Sequence, residues 1–337
     1  MEWILLNLNH CRREQMKKNL FSLIIFLTIY SSVFALDNNY LSFRITPRFE
    51  IVNGSINEFV FNENTTNKDN KLSQLDWDIK TIPIFGINAD FNLFRYINIG
   101  LDGSFGTPLK SGNMQDYDWK NKSTELTNYS IHDNYLLKYL TFSVTGGANI
   151  KIPANITITP KLAYYYEFIS LDGRDGYKTY KEENWQIKDF TGKVISYLQE
   201  MNAFLLGFSV TVETLPQAYF YADFFISPYT TLVNAFDYHY INTVIGGITY
   251  GTLFWDNCAN IFQLQTHIKT QYRFNKYHSA GLSASLFYIP ISKGDTRAKT
   301  IDSEGKTIST TWTAPIKNCG GTSRLIWSIG INYSFSL

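Results

Sequence analysis

The chain has 337 residues, of which 45% are hydrophobic and 16% aromatic, and its formal net charge is +1. This hydrophobicity is ordinary for a folded protein, whereas the share of Tyr and Phe is unusually high. The balanced charge, with no cluster of Lys and Arg, excludes nucleic-acid binding as a function class, because phosphate contacts require concentrated positive charge.

The start of the chain has the pattern of a signal peptide. A basic pair, Lys17 and Lys18, precedes an apolar run and a small-residue cleavage sequence that ends at Ala35. We therefore expect residues 1–35 to be a signal peptide and residues 36–337 to form the exported domain.

Met16 is the natural start of such a signal, so we interpret residues 1–15 as a misassigned start or a leader extension. Beyond Ala35 the sequence has no window of about 18 apolar residues, and we expect no membrane-spanning helix there. The exported chain is therefore either secreted or built from strands.

Strict alternation of apolar and polar residues is the dominant pattern of the exported chain, and it predicts β-strands. It is clearest at residues 87–91, 140–145, 282–286 and 327–335. The polar positions are mostly Ser, Thr, Asn and Gly rather than charged residues. Such a polar face suits a narrow barrel lumen, with the apolar face turned toward lipid.

The predicted strands are joined by connections that alternate between short and long. Short ones lie near residues 153–155, 215–217 and 275–277, and long polar ones cover residues 109–136, 170–198, 237–258 and 292–320. Outer-membrane barrels combine short periplasmic turns with long external loops. The sequence therefore predicts an all-β fold, a single closed antiparallel up-and-down transmembrane β-barrel of about ten strands with long extracellular loops.

Two cysteines lie in the exported part, Cys258 and Cys319, both in polar surroundings. In an oxidising compartment they form either one disulfide or two separate thiols, and the sequence leaves both alternatives open.

Two short groups of titratable residues stand at the predicted starts of long loops. The first contains Asp116 and Asp118, and the second contains Asp237 and His239. Residues two apart in an extended backbone point the same way, so each pair can face one cleft at the barrel mouth. An imidazole accepts a proton near neutral pH, and a neighbouring carboxylate fixes its tautomer. Two crowded carboxylates raise the pKa of one of them and so retain a proton.

The sequences KLSQLDWDIK at 71–80 and SGNMQDYDW at 111–119, followed by Asp-x-His after a strand, resemble the omptin family of outer-membrane aspartate- and histidine-dependent proteases. The similar segments occur in the same order over nearly the whole exported chain. The resemblance implies a ten-stranded barrel in the outer membrane of a Gram-negative-type bacterium, with the active site facing outside.

The resemblance also implies the catalytic roles of an aspartic-type endopeptidase that forms no acyl-enzyme. His239 corresponds to the general base and Asp237 to the residue that orients it. Asp116 would hold the attacking water from the other side, and Asp118 would support its protonation state.

Four further positions correspond to the substrate pocket, which in this family binds a basic residue before the cleaved bond. Glu58 matches one pocket acid, Met114 and Ile195 match the apolar lining, and Ala235 stands where the second acid is expected. One carboxylate fewer weakens the binding of Arg or Lys by roughly 1.5–3 kcal/mol. We therefore expect cleavage of peptides or proteins near basic residues, with lower discrimination.

Outer-membrane lipid is the other expected partner, and no metal or other cofactor is expected. Omptins bind lipopolysaccharide through arginines on the barrel wall. Tyr165 and Glu167 match neighbours of one such arginine, whereas Ile169 and Glu200 stand at the arginine positions. Lipopolysaccharide thus remains a candidate activator whose basic binding positions are not matched.

Three other functions are compatible with parts of the sequence. A catalytically inactive outer-membrane barrel could serve as a pore or adhesin, since a fold does not determine a function. Ser130 and His132 could form a serine-protease pair, although no third orienting group is evident. A metal hydrolase could use the Asp pair with His239, although the sequence contains no zinc-binding motif.

Overall fold

The computed structural model describes residues 41–61, 71–120, 125–245, 248–308 and 311–337. The predicted signal peptide, residues 1–35, lies outside the described residues, so the start of the exported domain stays a prediction. No helix in the described part of the chain is long and apolar enough to cross a membrane.

Thirteen strands and one short 3₁₀ helix, Lys181–Glu183, make up the regular structure of the described residues. The strands are Leu41–Phe61 (β1), Lys71–Leu93 (β2), Ile97–Gly106 (β3), Leu109–Asp118 (β4), Asn128–Ala148 (β5), Ile150–Ile152 (β6), Ile156–Tyr180 (β7), Ile187–Asp189 (β8), Lys193–Leu215 (β9), Ala218–Ile245 (β10), Ile248–Arg273 (β11), His278–Asp302 (β12) and Ile316–Ser336 (β13).

These strands close into one antiparallel barrel, because β1 pairs with β13 as well as with β2. β3 and β4 follow one another between β2 and β5 and share one place in the ring. β6 extends the turn after β5, and β8 adds a short strand to β7. The barrel wall therefore has ten strand positions, and the predicted closed barrel of about ten strands is confirmed.

The alternation in the sequence separates a lipid-facing surface from a polar lumen. In β13 the exposed side chains are Trp327, Ile329, Ile331 and Tyr333, and the buried ones are Ser328, Asn332 and Ser334. The same outward apolar surface includes Ile87, Leu101, Phe142, Leu162, Leu206 and Leu282. This belt covers the half of the barrel that carries the short turns, which is the half expected to cross the membrane.

Above the belt, the strands continue into segments that the sequence predicted as long loops. The predicted loop 109–136 contains β4, and the predicted loop 237–258 contains paired residues of β10 and β11. The loop boundaries were therefore wrong. Alternation between apolar and polar residues weakens where neither face meets lipid, whereas the backbone hydrogen bonds of the barrel continue without it.

A hydrogen-bonded network closes the lumen between the belt and the upper half. Buried Arg324 donates to Glu167, and to Gln199 Oε1 at 2.5 Å. Gln199 donates to the Tyr197 hydroxyl at 2.8 Å and to the Thr322 hydroxyl at 3.3 Å. We call these five residues the floor, because they cross the lumen between the belt and the candidate catalytic residues.

Two positions matched to the neighbourhood of a lipid-binding arginine face the lumen instead. The Tyr165 hydroxyl donates to Glu167 Oε2 at 2.7 Å, and Glu167 is only 2% exposed. Ile169 is also buried, and Glu200 is partly exposed. Activation by lipopolysaccharide stays a prediction.

Of the two alternatives for the cysteines, the structure has separate thiols. Cys258 and Cys319 are both buried and are not joined in a disulfide. The Cys319 thiol donates to the backbone carbonyl of Phe61 at 3.4 Å.

Candidate active site

The four candidate catalytic residues lie on strands in the upper half of the barrel. Asp116 and Asp118 stand at the end of β4, and Asp237 and His239 lie in β10 on another side of the ring. The charges of Asp237 and His239 act on the Asp116 carboxyl, so the two pairs face a common cleft. The structure therefore brings all four residues together.

Asp237 and His239 form a hydrogen-bonded dyad between Oδ2 and Nε2. A carboxylate oxygen only accepts hydrogen bonds, so Nε2 carries a proton and Nδ1 is the basic nitrogen of the neutral ring. Asp237 is 2% exposed, and its Oδ1 has no hydrogen-bond partner among the described residues. The His239 ring also packs edge-on against the Phe254 ring, with 5.5 Å between their centroids, and this contact further restricts the orientation of the imidazole.

The dyad holds a proton more tightly than an isolated histidine does. Burial lowers the pKa of His239, but Asp237, through its charge and its hydrogen bond, outweighs this effect. The charges of Asp116 and Asp118 add to it and raise the His239 pKa to about 9. The cleft therefore favours an imidazolium at neutral pH.

The Asp pair likewise tends to retain a proton, in this case on a carboxyl. Burial, and then the charge of Asp118, raises the pKa of Asp116 to about 8. Burial also raises the pKa of Asp118. The Ser73 hydroxyl donates to Asp116 Oδ1 at 3.4 Å. The pair can thus supply both a hydrogen-bond donor and an acceptor to a bound water or carbonyl.

The predicted apolar lining of the substrate pocket is assembled next to the cleft. Met114 and Ile195 are buried in one apolar cluster, which also contains Ala235, the position of the missing second acid. Gly173 allows this approach, because a Cβ there would lie 2.5 Å from Ile195 Cγ2 and 3.1 Å from Met114 Cε.

The predicted pocket acid, Glu58, points into the same region from β1. It is 2% exposed, and its Oε2 has no hydrogen-bond partner among the described residues. Burial, followed by the charges of Asp237, Asp256 and Asp116, raises its pKa well above the usual range. A buried acid without a partner is costly unless a ligand or a proton compensates it.

Asp256 is a buried acid beside the predicted pocket that the sequence reasoning did not single out. It lies in β11 directly opposite Ala235 of β10, and it is 3% exposed. Burial raises its pKa to about 7, although a hydrogen bond from Thr296 opposes this effect. No local pattern around Asp256 marks it; only the cross-strand register with Ala235 could have found it.

Ser130 and His132, the serine-protease alternative, do form a pair within the wall. The Ser130 hydroxyl lies 2.9 Å from His132 Nε2, and His132 Nδ1 lies 2.6 Å from the backbone carbonyl of Asp175. The carbonyl only accepts, so Nδ1 carries the proton and Ser130 donates to Nε2 of the neutral ring. Ser130 stands beside Asp116 in register on β5, and Ser130 and His132 are only 6% and 2% exposed, so the hydroxyl is enclosed.

Among the described residues, no group of three or more His, Cys, Asp or Glu side chains has the arrangement needed to hold a metal ion.

The sequence matches the Omptin family over residues 42–335. A 92-residue stretch is 30% identical to the plasminogen activator of Yersinia pestis, and it covers 27% of this chain and 28% of that protein. The match thus spans less than a third of the length of that relative.

The fold is similar to that of the outer membrane protease OmpT from Escherichia coli, with a TM-score of 0.76. The superposition covers 88% of this chain and 97% of that one, at 16% sequence identity. At this identity the likeness concerns the barrel itself.

Proposed function

Because the chain belongs to the omptin family, we propose that it is an endopeptidase that hydrolyses peptide bonds near basic residues with a water molecule activated by Asp237 and His239. Membership of this family makes it an outer-membrane protein whose site faces the outside of the cell. The observation that carries the proposal is the dyad in hydrogen-bonding contact, facing two carboxyls across one cleft.

In the proposed reaction, His239 Nδ1 accepts a proton from water while the water oxygen bonds to the peptide carbonyl carbon. Asp237 keeps the ring oriented and stabilises the imidazolium that forms. The electron pair of the carbonyl moves to oxygen and then returns as the carbon–nitrogen bond breaks. The imidazolium gives its proton to the leaving amine, so the products are a carboxyl group and an amine.

Asp116 and Asp118 act from the other side of the cleft. Asp116 accepts a hydrogen bond from the attacking water through one carboxyl oxygen and directs its retained proton toward the developing oxyanion, and the charge of Asp118 keeps that proton on Asp116. Ser73 supports this arrangement through its bond to Asp116. No acyl-enzyme forms, because the nucleophile is water.

A barrel that acts only as a pore is the second candidate, and the floor argues against it. Arg324, Glu167 and Gln199 are all at most 3% exposed and cross-link different sides of the lumen. A conducting pore requires a continuous water-filled path, which such a network obstructs.

The proposal is tested by cleavage of a fluorogenic dibasic peptide by refolded protein of residues 36–337 in detergent, with and without lipopolysaccharide. We expect cleavage that survives both a chelator and a serine-directed covalent inhibitor, since neither a metal nor Ser130 is used. Loss of activity in the chelator would favour a metal hydrolase. Single-channel conductance without cleavage would favour the pore.

The pH dependence of the reaction follows from the two raised pKa values. The base is active only when His239 is neutral, so kcat/KM should rise with pH toward the His239 pKa of about 9. The Asp116 proton is lost with a pKa of about 8, so the rate should fall again at higher pH. We expect an alkaline maximum between these two values in an initial-rate profile.

Asp237→Asn provides the control for this prediction. Removing the charge of Asp237 leaves burial to lower the His239 pKa, so NMR titration of the imidazole should give a lower value than in the wild type. An unchanged His239 titration in this variant would contradict the assigned cause.

A further inference from the structure

Asp256 is a buried carboxylate placed where it can reach the substrate pocket. Its partner in register, Ala235, lies two residues before Asp237 on β10 and therefore faces the same side as the dyad. Directly opposed residues of an antiparallel pair have Cβ atoms about 4.5–5.5 Å apart and point to the same face. The Asp256 carboxyl therefore lies about one strand spacing away from where a carboxyl at position 235 would lie.

Glu58 and Asp256 lie above the floor at opposite ends of a short arc of wall, close enough for the charge of Asp256 to act on the Glu58 carboxyl. The two strands between them contribute Thr322, paired with Glu58, and Thr296, paired with Asp256. Gly320 leaves room for the acid, because a Cβ there would lie 2.5 Å from Asp256 Oδ1 and 2.5 Å from Thr296 Oγ1. Thr322, Thr296 and Gly320 thus line this arc with small groups.

Both acids lack a positively charged partner. No salt bridge among the described residues includes Glu58 or Asp256. Asp256 Oδ1 accepts one hydrogen bond, from Thr296 at 2.5 Å, and Glu58 Oε2 accepts none in the described part of the chain. The charge of Asp256 raises the energy of ionised Glu58, and the charge of Asp237 does the same for both acids. A guanidinium or ammonium group between them would remove this repulsion and satisfy the open acceptor.

We propose that Asp256 supplies the second carboxylate of the pocket for the basic substrate side chain, in place of the acid missing at Ala235. This inference rests on the proposed peptidase function. Asp256 is a specificity-determining residue that contacts the substrate side chain and takes no part in the chemical step. Discrimination for basic residues is then strong rather than relaxed.

The test compares two peptides that differ only in having arginine or citrulline before the cleaved bond. Citrulline keeps the size and shape of arginine but carries no charge. We expect the wild type to favour arginine, and Asp256→Asn to lower the ratio of the two kcat/KM values by about 10-fold to 100-fold. The rate on the citrulline peptide should change little, which also shows that the variant is folded.

Asp295→Asn is the matched control. Asp295 lies in β12 beside Thr296, is 30% exposed and pairs with Lys317 at the surface. The Asp295→Asn substitution removes the same charge outside this arc of wall, so it should leave the arginine-to-citrulline ratio of kcat/KM unchanged. An Asp256→Asn variant that cleaves both peptides with the wild-type ratio would overturn the proposal.

Binding of agmatine, a small guanidinium compound, separates this inference from the proposed function. Calorimetry on the wild type in detergent should detect binding even if no peptide is cleaved, and Asp256→Asn should weaken it by the same factor. Gly320→Ala, which displaces the Asp256 carboxyl without removing it, is a second variant that should also weaken binding. Equal agmatine affinity in all of these proteins, or none in the wild type, would contradict the role of Asp256.

Discussion

Replacing His239 with alanine should lower kcat/KM for a dibasic peptide by about 10²-fold to 10⁴-fold, the range that general base catalysis supplies. The imidazole is the group in the cleft whose neutral form can take a proton from water, and Asp237 serves to orient it. The loss should appear mainly in kcat, because His239 acts on the water rather than on the basic side chain of the substrate.

His278→Ala is the matched control for this loss. His278 is the first residue of β12, at the short-turn end of the barrel and opposite the cleft end, and its Nδ1 is 2.6 Å from the Tyr333 hydroxyl. It should keep full activity. If His239→Ala retained wild-type activity with an unchanged circular dichroism spectrum, the dyad mechanism would be wrong.

Asp116→Asn tests the role of the Asp pair on the other side of the cleft. If the two sides act on one water molecule, the double variant with His239→Ala should lose little more than either single variant. Independent, multiplicative losses would indicate that the Asp pair acts in a different step.

The fold could be predicted largely because lipid imposes a simple rule on the sequence. The alternation of Trp327, Ile329 and Ile331 with small polar residues directly gives the lipid-facing and lumen-facing positions of β13. The same rule fails above the membrane. Asp116 and Asp237 were expected at loop starts, but they lie in paired strands whose outer faces meet water rather than lipid.

The candidate site could be predicted only as far as short patterns reach along the chain. The i, i+2 spacing of Asp237 and His239 predicts the dyad, and the resemblance to omptins predicts a pocket role for Glu58. Asp256 could not be found in this way, because its relation to Ala235 depends on the register between β10 and β11. The floor depends in the same way on contacts between residues more than a hundred positions apart, such as Arg324 and Gln199.

Arg324→Met should lower the free energy of unfolding by about 3–5 kcal/mol, because it leaves the Glu167 carboxylate buried without its cation. Arg324 and Glu167 are 3% and 2% exposed, so water cannot replace the lost partner. The Tyr139 and Tyr165 hydroxyls, at 3.2 and 2.7 Å from Glu167 Oε2, compensate only part of the charge. Unfolding by guanidinium chloride in detergent micelles measures the change.

Two further variants distinguish whether the stability is lost because a charge is left buried or because packing contacts are missing. Lys306→Met breaks an ion pair with Glu304 in which both side chains are more than 70% exposed, and it should leave the unfolding midpoint unchanged. Arg324→Met combined with Glu167→Leu removes both charges, so it should recover most of the stability that Arg324→Met loses. If the double variant were as unstable as Arg324→Met, the cost would come from lost packing across the floor. The pair would then hold the pocket wall in place through shape rather than through charge.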